Sequence, residues 1–254
     1  MVSFDLKGKK AIVTGGTRGL GYGMAEGLME AGAEVVIFGT SSKVYDVATD
    51  FENRGFICKG IAVDLGNGEA RKQSFAEAVS LLGDLDILIN CAGIQRRHAF
   101  EEFPEQDWND VINVNLNAPF DLCQLAVKEF LKKDIVSGKI INIVSMLSFF
   151  GGLTVPAYAA SKGGMAQLTK AMCNELASKN INVNAIAPGY MDTEMNTALT
   201  DKSNPRYKEI TDRIPAARWG SGEDLKGVTV FLASSASNYI NGAIIPVDGG
   251  YLVK

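Results

Sequence analysis

Paired cysteines are missing from this 254-residue chain. Cys58, Cys91, Cys123 and Cys173 stand 33, 32 and 50 positions apart with no C-x-x-C pair, which argues against structural zinc and a disulfide framework. Reduced thiols and a cytoplasmic setting are expected instead. Histidine is reduced to His98. No apolar run approaches the ~18 residues of a transmembrane helix. The opening stretch, MVSFDLKGKKAIVTGG, carries charges where a signal peptide has its apolar region. Basic surface is also short. With 25 Lys and Arg against 29 Asp and Glu, the net charge is −4, so neither nucleic acid nor an anionic membrane is expected as a partner. Internal repeats, low-complexity tracts and linkers are absent too, and the length suits one domain over 1–254.

What the chain does contain is alternation. Short runs rich in Val and Ile recur at 10–15, 34–39, 57–64, 85–90, 139–145, 181–189 and 243–250. Several are apolar on both faces, as parallel strands buried on two sides must be. Helix-length amphipathic segments separate them. Met165, Leu168, Met172 and Leu176 form a helical stripe over 164–177, and PEQDWNDVINVNL (104–116) opens with Pro and two acids, a good helix start. The predicted fold is α/β: a doubly wound, seven-stranded parallel sheet with helices on both faces. One irregular stretch, 190–221, is longer than a crossover needs and is expected to be a substrate lid.

The first strand runs into TGGTRGLG (14–21), which opens a helix. Gly15, Gly19 and Gly21 permit a tight turn, and with Thr17, Arg18 and Leu20 they would bring backbone N–H groups to a pyrophosphate at the helix N-terminus. A cofactor without a 2′-phosphate is usually held by an acid at the end of strand two. Here Gly39, Thr40 and Ser41 stand there, with Arg18 in the loop and Lys43 just beyond. Hydroxyls and cations suit a phosphate. NADP is therefore expected, with NAD as the alternative.

Polar residues also end the other strands: Thr14, Asp64 beside Leu65, Asn90 with Ala92 and Gly93, Ser145, and Pro188-Gly189. Ligands in doubly wound sheets sit beyond these carboxyl ends. Tyr158 and Lys162 open the helix after Ser145, one turn apart. A phenol titrates near ~10, and an adjacent cation is expected to pull it toward neutrality, where it can exchange protons. Gly163 and Gly164 each cost a helix about 1 kcal/mol, which predicts close backbone packing there. Arg96-Arg97-His98, beyond strand four, is a cationic cluster that would suit a substrate carboxylate. Alternatively, either arginine is solvated or pairs with Glu101 or Glu102. His98 is read as a loop or interface residue, and Met146 and Trp219 fit core or pocket wall.

TGGTRGLG, NCAG (90–93), NVNL (113–116), Ser145 ahead of YAASK, and PGYMDT (188–193) together resemble the short-chain dehydrogenase/reductase family over essentially the whole chain. The resemblance implies a single Rossmann-type domain, a nicotinamide cofactor, a homotetramer or dimer, and a tetrad of Asn115, Ser145, Tyr158 and Lys162. Asn115 would fix a proton-relaying water. Met191 and Thr193 join the cofactor residues, while Met146 and Tyr190 join Arg96, Arg97, Ser145 and Tyr158 around the substrate. Cys91 replaces the second Asn commoner in the family. Segments 93–112 and 187–199 resemble gluconate 5-dehydrogenases, and 141–152 and 213–220 resemble 2-deoxy-D-gluconate 3-dehydrogenases, which implies a sugar-acid substrate. A 3-oxoacyl-carrier-protein reductase shares fold and tetrad but needs a basic docking surface. A non-catalytic NAD(P)-sensing protein would not need Ser145, Tyr158 and Lys162 intact.

Overall fold

A computed structural model describes residues 3–194, 197–201 and 203–254. Its centre is one sheet of seven strands, all parallel, in the order β3-β2-β1-β4-β5-β6-β7. The strands are β1 (Lys10–Thr14), β2 (Glu34–Gly39), β3 (Cys58–Ala62), β4 (Ile87–Asn90), β5 (Gly138–Ile143), β6 (Ile181–Pro188) and β7 (Ile244–Val247). Six lie within the apolar runs of the sequence, and β5 begins one residue before its run. Between and after them come α1 (Gly19–Glu30), α2 (Lys43–Asn53), α3 (Gly68–Leu82), α4 (Glu105–Ile112), α5 (Ala118–Phe130), α6 (Pro156–Leu176), α7 (Thr197–Thr200), α8 (Pro205–Arg213) and α9 (Glu223–Ala233).

Side chains alternate across the sheet, so each strand feeds two cores. Ala11 and Val13 of β1 pack with Met24 and Leu28 of α1 and Leu225 of α9. Ile12 faces the other way, toward Phe75 of α3 and Leu122 of α5. Each such side chain contributes about 1.5–3 kcal/mol on burial. Position in the sheet decides the pattern along a strand. Interior β6 is buried at every residue, whereas edge strand β3 buries Cys58 and Ile61 and exposes Lys59 and Ala62. The asparagines buried in β6 are satisfied by the chain that leads into β7. Asn184 donates to the Ile240 carbonyl and accepts from Ala243 N–H, and Asn182 donates to the Asn238 and Ile240 carbonyls.

The 190–221 excursion is closed at its base by backbone. Asp192 N–H donates to Gly220 O at 2.8 Å, and Gly220 N–H to Tyr190 O at 3.0 Å. Helices α7 and α8 lie within it. Helix α6 starts at Pro156, so Tyr158 and Lys162 stand in its opening turns as expected. One expectation on helix extent changes: the helix read at 104–116 gives way after Ile112 to a π-helical turn over Asn113–Asn117. Among the described residues, no helix is long and apolar enough to cross a membrane.

Candidate active site

Beyond the carboxyl ends of the strands lies a cleft of about 550 Å³. Its wall runs from the glycine loop, past the ends of β2, β3, β4 and β5, to Pro188, Gly189, Met191 and Thr193 after β6. Gly15, Thr17, Arg18, Gly19, Leu20, Gly21, Thr40, Asp64, Leu65, Ala92, Gly93, Arg96, Ser145, Tyr158 and Lys162 all border it. Ser41, Asn90, Asn115, Arg97, Met146 and Tyr190 do not.

The glycine loop is shaped by its own backbone. Gly15 has φ +69°, and a Cβ there would stand 3.0 Å from Ala92 Cα. A Cβ on Gly21 would come within 2.1 Å of the Gly15 carbonyl oxygen. Thr14 braces the loop from below, its Oγ1 accepting from Cys91 and Ala92 N–H at 3.0 Å each. No side chain caps α1 and no acid occupies its first turn, so its leading N–H groups are left to an anion. The arrangement fits a dinucleotide pyrophosphate. At the end of β2, Gly39 and Thr40 border the cleft and no carboxylate does. Arg18 is exposed and paired with Glu194, a contact that joins the glycine loop to the excursion. Nothing in the local sequence pointed to Glu194 as a partner. Asp64 turns its carboxylate to Gly66 N–H at 2.8 Å.

Asn90 sits behind this wall, donating to Asn142 Oδ1 at 2.9 Å and to Cys123. Asn115, in the π turn, is fully buried. Its Oδ1 accepts from Ile94 N–H at 2.8 Å, and its Nδ2 donates to Ile94 O at 2.9 Å and Ser161 Oγ at 3.2 Å. The side chain thus holds the strand-four loop to α6. A Cβ on Gly93 would lie 3.3 Å from Asn115 Oδ1 and 3.7 Å from Lys162 Nζ. Of the two helix glycines only Gly164 is closely packed as expected, since a Cβ there would press on the Leu116 side chain at 3.1 Å, while one on Gly163 would meet nothing within 4 Å.

Ser145 caps the short turn after β5, accepting from Leu147 N–H at 3.2 Å, and its hydroxyl faces the Tyr158 phenol closely enough to favour the phenolate. Lys162 Nζ lies 5.6 Å from the Tyr158 ring centroid and donates to Ile143 O at 2.7 Å. Its charge does not bring the phenol toward neutrality. Burial pushes Tyr158 up to about 12, against the Ser145 hydrogen bond and the Arg97 charge, which both oppose it. Burial likewise lowers Lys162 to about 8.

The arginine cluster divides. Arg96 Nε is 3.6 Å from Asp107 Oδ1, and Asp107 Oδ2 is 2.6 Å from His98 Nε2. The expected pairing with Glu101 or Glu102 is not what holds Arg96. Arg97 is exposed and donates to Gln95 Oε1 at 3.2 Å. Met146 and Trp219 fall in an apolar cluster with Ile210, Ile214 and Tyr251, and Tyr190 packs edge-on against Trp219 and Tyr251. Tyr251, near the chain end, carried no sequence signal.

Residues 9–204 match the family described as short chain dehydrogenase. The chain belongs to that family. Among its relatives, a 2-dehydro-3-deoxy-D-gluconate 5-dehydrogenase of Bacillus subtilis is 47% identical over 252 residues, spanning 99% of this chain and 98% of the relative. A 5-keto-D-gluconate 5-reductase of Escherichia coli is 41% identical, spanning 98% of each. Among solved structures, a gluconate 5-dehydrogenase from Burkholderia cenocepacia in complex with NADP and tartrate superposes with a TM-score of 0.93 at 38% identity, covering 99% of this chain and 98% of that one.

Proposed function

We propose that this short-chain dehydrogenase is an NADP-dependent oxidoreductase acting at C5 of a six-carbon sugar acid, of the 2-dehydro-3-deoxy-D-gluconate or 5-keto-D-gluconate type. NAD is the second choice of cofactor. The observation that carries the reading is that Ser145, Tyr158 and Lys162 border one cleft with a guanidinium, Arg96, and that Arg97 follows on the same loop. The names of the relatives point to C5 and to sugar acids. Net charge −4 does not suit an acidic carrier protein. An intact proton donor does not suit a silent sensor.

The amides of the glycine loop and of the start of α1 would hold the pyrophosphate. Arg18, Thr40 and Ser41 would hold the 2′-phosphate, and Lys162 the nicotinamide ribose. The nicotinamide, when bound, supplies or accepts the hydride. Tyr158, protonated at neutral pH, donates its proton to the substrate oxygen during reduction and recovers it during oxidation. Ser145 orients that oxygen by hydrogen bonding. Asn115 fixes the loop that carries the arginines. The 190–221 excursion, which borders the cleft through Met191, Thr193 and Glu194, acts as the substrate lid. A single domain, a cytoplasmic setting and a homotetramer complete the reading, the last measurable by light scattering.

Turnover of gluconate, 5-keto-D-gluconate, 2-dehydro-3-deoxy-D-gluconate and an uncharged hexitol, each with NADP(H) and NAD(H), tests it. Losing one partner of a buried charge pair costs about 2–5 kcal/mol. Arg97→Ala should therefore lose about 30-fold or more on the acids by that estimate and little on the hexitol, with Arg96→Ala milder. Inactivity on every acid defeats the sugar-acid assignment, whereas equal losses on acid and hexitol in both variants would mean that the carboxylate is bound elsewhere, within 190–221.

A further inference from the structure

The two arginines beyond β4 are adjacent in sequence and unequal in surroundings. Asp107, in the first turn of α4, reaches both Arg96 and His98 with one carboxylate. That carboxylate is held in place. The helix start favours an anion there. The His98 ring packs edge-on against Phe103 at 5.2 Å, and His98 N–H donates to Thr154 O at 3.1 Å. Arg96 borders the cleft with a fixed negative charge beside it. Arg97, among the described residues, has only the neutral Gln95 amide as its partner.

We infer that Asp107 is a specificity-determining residue that sets how strongly the substrate site favours anions: it compensates Arg96 and leaves Arg97 without an acidic partner, so the preference for a charged sugar acid over an uncharged polyol is smaller than two free guanidinium groups would give. The inference rests on the sugar-acid reading above. Its physical content is a potential. Removing one negative charge beside the cleft changes the energy of a bound ligand in proportion to that ligand's charge, whereas structural damage weakens all ligands alike.

A charge ladder reads this out. Dissociation constants are measured for a hexitol, gluconate and glucarate, with charges 0, −1 and −2, on the NADP-loaded enzyme and its variants. Asp107→Asn should tighten binding by about threefold to tenfold per unit of ligand charge, as expected for one charge at roughly 7 Å in a medium between protein and water. The gain should shrink at high salt. Arg96→Gln should shift the ladder the other way, and the double variant should return it to the wild-type slope. Asp107→Glu, which keeps the charge, should behave as wild type. Each slope is a ratio within one preparation, so loss of folded protein does not alter it, and Arg96→Gln carries the test if Asp107→Asn cannot be prepared. If the three ligands move together in Asp107→Asn and in Arg96→Gln, the inference fails while the sugar-acid reading stands. If wild type binds gluconate no better than the hexitol, both fail.

Discussion

Tyr158 and Lys162 stand one helical turn apart, yet their proton affinities move away from one another. Low polarity around the site disfavours both charged forms, so the phenol rises to about 12 and the ammonium falls to about 8. At neutral pH this leaves a protonated phenol beside a protonated amine, the state needed to reduce a ketone. Tyr158→Phe should lower turnover by at least the ~10²-fold of general acid catalysis while leaving cofactor affinity intact; turnover within a few-fold of wild type would refute the role. The pH profile follows from Lys162. Below about 8 it is a charged donor that can hold the nicotinamide ribose; above about 8 that charge is lost. Cofactor affinity, measured by titration, should weaken as pH rises through 8, and Lys162→Met should bind cofactor more weakly at pH 7 and lack that limb.

Elements were legible in proportion to how regular their burial is. All seven strands showed as Val- and Ile-rich runs because parallel strands are buried on two faces, and the polar residues at their ends located the cleft. Helix α6 showed an apolar stripe only in its second half. Its first half buries Ala157, Ser161 and Lys162, small or polar groups that leave no such stripe, and was legible instead from the one-turn spacing of Tyr158 and Lys162. The π turn was invisible for a similar reason: Asn113–Asn117 reads as helix by composition, and only the bonds of Asn115 to Ile94 reveal what the extra residue positions. Contacts between distant elements left no local trace, and Arg18 with Glu194 is the clearest case. This pair is exposed on both sides, so it is worth at most about 1 kcal/mol. A 2′-phosphate that displaces Glu194 gains more, roughly the 1.5–3 kcal/mol of a hydrogen bond to a charged group. Arg18→Ala should therefore weaken NADP by about tenfold or more and NAD far less, while Glu194→Gln should tighten NADP by up to about fivefold. Titration of both cofactors by fluorescence checks the pair; equal losses for NADP and NAD in Arg18→Ala would assign the 2′-phosphate to other residues.

At the scale of the whole molecule, the sheet has two unlike ends. The carboxyl ends of the strands carry the cleft, while the amino ends bury Lys139 among neutral oxygens, with Nζ 2.9 Å from both Asn182 Oδ1 and Asn238 Oδ1. Burial, with Lys9 nearby, lowers Lys139 to about 8. The unfolded chain holds that proton up to the ordinary lysine value of 10.5, so between pH 8 and 10.5 the unfolded state binds more protons and Lys139's contribution to stability rises with pH. Denaturant unfolding of wild type and Lys139→Met at pH 7 and 10 should show the difference moving in favour of wild type at the higher pH. A constant difference would mean that Lys139 titrates normally. The backbone bonds at the base of the 190–221 excursion have a consequence of another kind. With Tyr190 and Asp192 tied to Gly220, the two ends of the excursion meet at its base. Doubling the length of a loop closed in this way costs only about 0.6 kcal/mol of closure entropy. Insertions and deletions between these feet that spare Ile210, Ile214 and Trp219, which pack against Met146 and Tyr251, should therefore cost the sheet little. Evolution can lengthen, shorten or exchange the excursion as a cassette, retuning the mouth of the cleft while the hydride-transfer chemistry beneath it is inherited unchanged.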